Sequence, residues 1–244
     1  MMKRTLNLLL FFYFLSFTIY AASGELKEKL CGLDGIRSIQ SVESNHYKEK
    51  YVVFVNQEVN HGHPEDGMFE QRVIVSHVGF DKPTILVTEG YGGAYALSPN
   101  YQEELSYLLG ANVVFVEHRY FLESTPDPLN WEYLTAENSA YDLHHITQMF
   151  KEVYPNKWIS TGISKGGQTT LIYRTFFPDD VDISVPYVGP LCKAVEDGRH
   201  ETFLKKVGTK KERRKIQDFQ LEVLKRKANM VPLLDDFCKK SGLT

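Results

Sequence analysis

The chain has 244 residues, of which 43% are hydrophobic, and its 28 basic and 31 acidic side chains leave a formal charge of −3. That length accommodates one α/β domain with a substantial core. Mild acidity without a stripe of interleaved basic and aromatic residues argues against nucleic acid as a partner.

The N-terminus combines Met1-Met2-Lys3-Arg4, an apolar run from Leu8 to Tyr20 and the small residues Ala21-Ala22-Ser23. This is the pattern of a secretory signal peptide over residues 1–23, with an apolar run short for a bilayer span. Cleavage after Ser23 removes Lys3 and Arg4, taking the formal charge from −3 to −5. The expected product is secreted or periplasmic, with no stable membrane insertion. Cys31, Cys192 and Cys238 are an odd number of cysteines for an oxidising compartment. One pair could bridge, and the sequence leaves open which.

Tyr51–Val55 and Glu70–Val78 read as paired strands, joined by the turn-rich Asn60-His61-Gly62-His63-Pro64-Glu65-Asp66-Gly67. Thr84–Thr88 is continuously apolar enough to be buried on both faces. A short helix over Tyr101–Leu109, a strand over Val113–Val116 and a longer helix over Ala136–Tyr154 follow. Then come a strand ending near Thr161, a helix, and a strand over Val181–Val188. Strands and helices alternating after a hairpin predict an α/β fold, a mostly parallel sheet with helices on both faces. Residues 24–192 form this core. Residues 193–244 read as the start of a helical cap, with a charged amphipathic helix between Lys205 and Lys227. No Cys/His cluster has zinc spacing and His61-Gly62-His63 reads as a polar loop, so neither metal nor cofactor is implied. Oligomeric state is left open.

The most informative stretch is Gly162-Ile163-Ser164-Lys165-Gly166-Gly167, between the apolar strand residues Lys157–Thr161 and a helical pattern from Gln168. Gly-x-Ser-x-Gly on a strand-to-helix turn is the nucleophile elbow of the α/β-hydrolases. Ser164 is then the nucleophile and the Lys165 backbone N–H one oxyanion donor. The loop Gly90-Tyr91-Gly92-Gly93, after the Thr84–Thr88 strand, should supply the other through Tyr91 or Gly92. Val116-Glu117-His118-Arg119-Tyr120-Phe121 puts charge at the carboxyl end of a strand, where ligand crevices form. Arg119 there reads either as a substrate anchor or as half of an ion pair with Glu89 or Asp142.

The combination of Thr88-Glu89-Gly90, Val116-Glu117-His118-Arg119-Tyr120-Phe121 and the Ser164 elbow, in that order and spacing, resembles the secreted tripeptidyl aminopeptidase family of serine peptidases. These are α/β-hydrolases, distant relatives of prolyl carboxypeptidase and the lysosomal dipeptidyl peptidase. The resemblance covers roughly residues 30–235. It implies a peptide substrate and the release of short peptides from free N-termini, with Ser164 as nucleophile. A negative group must then meet the substrate's terminal ammonium, and Glu89 and Glu117 are candidates by position.

In this fold the acid and histidine follow the serine in the chain. Residues 165–244 read as one strand and then cap helix, and His200 stands too early to be the base. His46, His61, His63, His77, His118, His144 and His145 precede the elbow, and Asp179, Asp180 and Asp182 belong to a turn beside its helix. The expectation is therefore an N-terminal fragment whose triad acid and base lie beyond Thr244, so that Ser164 lacks its base and the chain alone can be inactive. The competing readings are an esterase or lipase of the same fold and a non-catalytic, hydrolase-like binding protein. Against the first, the loop reads Glu-Gly-Tyr-Gly-Gly and not His-Gly-Gly-Gly.

Overall fold

A computed structural model describes residues 24–195 and 197–243. The expected signal peptide, residues 1–23, lies outside the described residues. The chain divides after Leu191 into two compact units.

The first unit is built on seven strands: β1 (Ile36–Ser41), β2 (Glu49–Glu58), β3 (Met68–His77), β4 (Thr84–Thr88), β5 (Asn112–Val116), β6 (Trp158–Ile163) and β7 (Ile183–Tyr187). Their order in the sheet is β1-β2-β3-β5-β4-β6-β7. β1 to β2, β2 to β3 and β3 to β5 are antiparallel, whereas β5, β4, β6 and β7 are mutually parallel. Five strands thus point one way and β1 and β3 the other. This is a mostly parallel α/β-hydrolase sheet.

Helices α1 (Glu25–Cys31), α2 (Glu104–Leu109), α3 (Ala136–Lys151) and α4 (Lys165–Phe176) cover it. Alternate strand residues face opposite sides, so two cores form. Val53, Val55, Val73, Val75, Leu86 and Val114 pack with Leu26 and Leu30 of α1, Leu143, Ile146 and Phe150 of α3, and Tyr173 of α4. Val52, Ile74, Ile85, Val87, Val113 and Phe115 form the other core, against which Tyr101 and Leu105 pack. α3 starts where the Thr135 side chain accepts the Asn138 N–H. It stops at Lys151, three residues short of the expected Tyr154, because Tyr154 precedes Pro155 and that position disfavours helix. α3 and α4 are tied together where the Tyr173 hydroxyl lies 2.9 Å from Thr147 Oγ1 and 2.8 Å from Asp180 Oδ2.

The second unit holds α5 (Arg199–Leu204), α6 (Lys210–Lys225) and α7 (Lys227–Lys240). The single helix expected over 205–227 begins only at Lys210, where Thr209 and Glu212 make a reciprocal capping box. Ile216, Phe219 and Leu224 on α6 are exposed. Cys31, Cys192 and Cys238 are free thiols. Among the described residues no helix is long and apolar enough to cross a membrane.

Candidate active site

β6 delivers the chain to Ser164, whose φ of 57° and ψ of −116° place a non-glycine residue where side chains are strained. The turn is held by the Ser164 N–H donating to Tyr187 O at 3.0 Å and by Gln168 N–H donating to Ser164 O at 3.0 Å. Position 162 must be glycine, because a Cβ there would stand 2.4 Å from the Gly166 carbonyl. Beneath the turn, Thr88 Oγ1 sits 3.1 Å from both Thr161 O and Gly166 O and 2.6 Å from Thr170 Oγ1. This buried knot joins β4, β6 and α4. Ser164 itself is exposed. The first amides of α4 have no acceptor inside the helix, and the helix dipole makes this end favourable for negative charge.

The loop after β4 lies against the elbow. Glu89 Oε1 accepts the Gly90 N–H at 2.9 Å and the Tyr91 N–H at 3.2 Å, and Glu89 Oε2 accepts the Tyr95 hydroxyl at 2.5 Å. Burial, reinforced by that carboxylate, pushes the Tyr95 hydroxyl pKa up. The Tyr91 amide expected at the oxyanion site is thus directed at Glu89 in this state. The His118 N–H holds Tyr91 O at 3.2 Å, and the Gly93 N–H donates to Glu117 Oε2 at 2.7 Å.

Two candidates for substrate contact are buried and paired within the protein. Glu117 is 0% exposed; it pairs with Arg72 and accepts from Ser124 Oγ at 3.0 Å as well as from Gly93. Arg119 is also 0% exposed. It donates to both oxygens of Asp142 at 2.7 Å, to Val59 O at 2.7 Å, to Tyr133 O at 2.9 Å and to Glu58 O at 3.1 Å. Buried charges of this kind are retained only when paired and hydrogen-bonded. Neither has an open face for a substrate, and of the two ion-pair partners read for Arg119 the structure selects Asp142. Burial alone would raise the Asp142 carboxyl, but the Arg119 guanidinium outweighs it and holds the group below the usual carboxylate range. Glu89, by contrast, is only half-buried.

The sequence reading missed Arg72, which neutralises Glu117 from β3, and Tyr95, which caps Glu89. Neither carries a local motif. Arg72 looks like one polar residue of a half-exposed strand.

Several histidines are committed to other partners. His61 Nε2 meets Asp142 at 2.7 Å, His77 the Tyr154 hydroxyl at 3.1 Å, His144 Asp180 at 2.6 Å and His145 Gln57 at 2.8 Å. His118 Nδ1 contacts Arg119 O at 2.8 Å. Burial, with the nearby Lys165 charge, pushes the His118 pKa down to about 4. Among the described residues no group of three or more His, Cys, Asp or Glu side chains is placed to hold a metal ion. A mainly apolar cavity of 250 Å³ lies beside the elbow helix, between Phe121, Leu134 and Ile172, with His118, Lys165 and Thr169 on its wall.

Residues 21–244 match the family described as PS-10 peptidase S37. The chain is 31% identical over 228 residues to prolyl tri/tetrapeptidyl aminopeptidase of Streptomyces mobaraensis, covering 93% of this chain and 47% of that protein. It is 28% identical over 154 residues to the probable serine protease EDA2 of Arabidopsis thaliana, covering 55% of this chain and 32% of that protein. It therefore spans less than half the length of these curated relatives. Among solved structures, a putative hydrolase from Agrobacterium vitis S4 aligns with a TM-score of 0.42 and 16% identity over 70% of this chain and 63% of that one. The match over nearly the whole chain makes this protein a member of the PS-10 peptidase S37 family.

Proposed function

We propose that the protein is a secreted or periplasmic serine exopeptidase that releases short peptides, tripeptides foremost, from free N-termini. The observation that carries this reading is Ser164, exposed at a positive-φ turn between β6 and the N-terminus of α4. Family membership and the tri/tetrapeptidyl aminopeptidase name of the Streptomyces relative support the substrate class.

In this reading Ser164 Oγ attacks the scissile carbonyl and a C–O bond forms as the oxygen takes up negative charge. The Lys165 N–H, with Tyr91 or Gly92 N–H across from it, stabilises that charge. The carbonyl re-forms as the C–N bond breaks, and the serine proton passes through a general base to the departing amine. Water then hydrolyses the acyl-enzyme by the reverse proton path. We assign the base to none of the histidines bound to Asp142, Tyr154, Asp180, Gln57 or the Arg119 carbonyl. Glu89, half-buried beside the elbow, is the group we assign to the substrate's terminal ammonium.

The test is labelling of the protein with a fluorophosphonate, with Ser164→Ala as control, beside turnover of tripeptide amides with free or acetylated N-termini and of short acyl esters. In protein that holds the general base, the expected result is labelling lost in Ser164→Ala and cleavage confined to free N-termini. Equal turnover of blocked peptides would remove the exopeptidase reading. Preferential turnover of acyl esters would favour an esterase.

A further inference from the structure

The residue after the nucleophile carries a long cationic side chain in the middle of the site, and the reaction scheme uses only its backbone. Lys165 Nζ donates to Gly90 O at 2.6 Å. The ammonium also lies 5.3 Å from the Tyr91 ring centroid and 5.7 Å from that of Phe121, within cation–π range of both. We infer that this side chain is a positioning residue, fixing the peptides of the loop read as the oxyanion loop; the inference rests on Ser164 being the nucleophile.

A trans peptide is planar, so its C=O and N–H point in opposite directions. Holding the Gly90 carbonyl on the Lys165 ammonium therefore sets the direction of the Tyr91 N–H. The next peptide is held in the same way, since the His118 N–H binds Tyr91 O at 3.2 Å and so orients the Gly92 N–H. Both amides read from the sequence as oxyanion donors are thus restrained through their carbonyl partners, and the Tyr91 N–H in this state also reaches Glu89 Oε1 at 3.2 Å. Position 90 needs such a restraint most. It must be glycine, because a Cβ there would come within 2.7 Å of Gly166 N and Lys165 Cβ, and glycine rotates freely unless held. A hydrogen bond from an ammonium is about twice as strong as a neutral one, which suits it to that task. Both ends of the contact belong to the site, so one residue couples the elbow to the loop: its N–H supplies one donor and its side chain aligns the other.

Lys165→Met keeps the backbone N–H and the apolar stem and removes only the ammonium. Lys165→Arg keeps a cation. Amide hydrogen exchange of Tyr91 and Gly92 reads the positioning directly and needs no turnover. In Lys165→Met these two amides should exchange about tenfold faster or more, while the β4 and β6 amides stay as protected as in the wild type. In the active enzyme kcat should fall about tenfold or more at unchanged KM. The inhibition constant of a tripeptide aldehyde, which forms a tetrahedral adduct, should weaken in parallel, and Lys165→Arg should recover part of both. Unchanged Tyr91 exchange, or a loss of protection spread equally over β4 and β6, overturns the inference. So does a KM effect with kcat and aldehyde affinity intact. Failure of wild-type protein that holds the general base to label with fluorophosphonate would instead strike at the nucleophile reading, which the exchange measurement does not touch.

Discussion

Arg72 and Glu117 form an ion pair inside the protein, and the same Glu117 carboxylate accepts the Gly93 N–H at 2.7 Å and the Ser124 hydroxyl at 3.0 Å. One buried charge thus serves both the sheet and the loop beside Ser164. Removing either partner leaves the other buried and uncompensated, at a cost of about 3–5 kcal/mol. Glu117→Ala and Arg72→Met should each lose about that much in urea denaturation. The double variant should lose clearly less than the sum. Additive losses would show that the pair is not coupled.

Ser164 should pay a stability penalty for its geometry. A non-glycine residue at φ 57° and ψ −116° carries strain of about 1–3 kcal/mol. Ser164→Gly should therefore be more stable than Ser164→Ala by about 1 kcal/mol, while both lose phosphonate labelling. Equal melting temperatures for the two variants would show that the elbow is unstrained.

Glu89 divides its two oxygens between the loop amides and Tyr95. Glu89→Gln keeps an acceptor for Gly90 and Tyr91 but removes the charge. KM for free-N-terminus tripeptide amides should rise about tenfold or more, since a charge-assisted contact is lost, with phosphonate labelling of Ser164 preserved. Unchanged KM would take the ammonium-binding role away from Glu89.

Stability should fall on mild acidification. Buried His118 resists protonation until about pH 4, whereas in the unfolded chain it protonates near its ordinary 6.5. The unfolded state therefore binds more protons in this window. Full stability holds above 6.5 and drains away as pH drops towards 4. From pH 7 to pH 5 this single group accounts for about 2 kcal/mol. His77 and His145, which burial also depresses, act in the same direction. Denaturant titrations at the two pH values should show the loss, and His118→Asn should reduce it. A pH-independent midpoint would contradict the burial of a neutral imidazole.

The elbow was legible because its signal is local: two glycines, a serine, an apolar strand before and a helical pattern after. The Glu117-His118-Arg119 block was located correctly at a strand end, but its chemistry was not readable. Charge at that place marks a crevice only if it faces solvent, and Arg72, 45 positions from Glu117, and Asp142, 23 positions from Arg119, bury it instead. No periodicity announces such long-range partners. β1 escaped notice because Ile36-Arg37-Ser38-Ile39-Gln40-Ser41 is a half-exposed edge strand with little apolar content. The start of α6 at Lys210 was readable in principle from Thr209 and Glu212, but the density of basic residues obscured the cap.

The loop beside Ser164 is gripped through its main chain, from below by Glu117 and from the side by Lys165 and His118, while the Tyr91 and Tyr95 side chains are exposed. Backbone placement therefore depends on these side chains only where the Tyr91 ring meets the Lys165 ammonium and the Tyr95 hydroxyl meets Glu89. Substitutions at Tyr91 that keep an aromatic face for the Lys165 ammonium can reshape what the rim of the site meets while the amides beneath stay held, so substrate range can drift over evolution or be selected in the laboratory on a fixed catalytic scaffold.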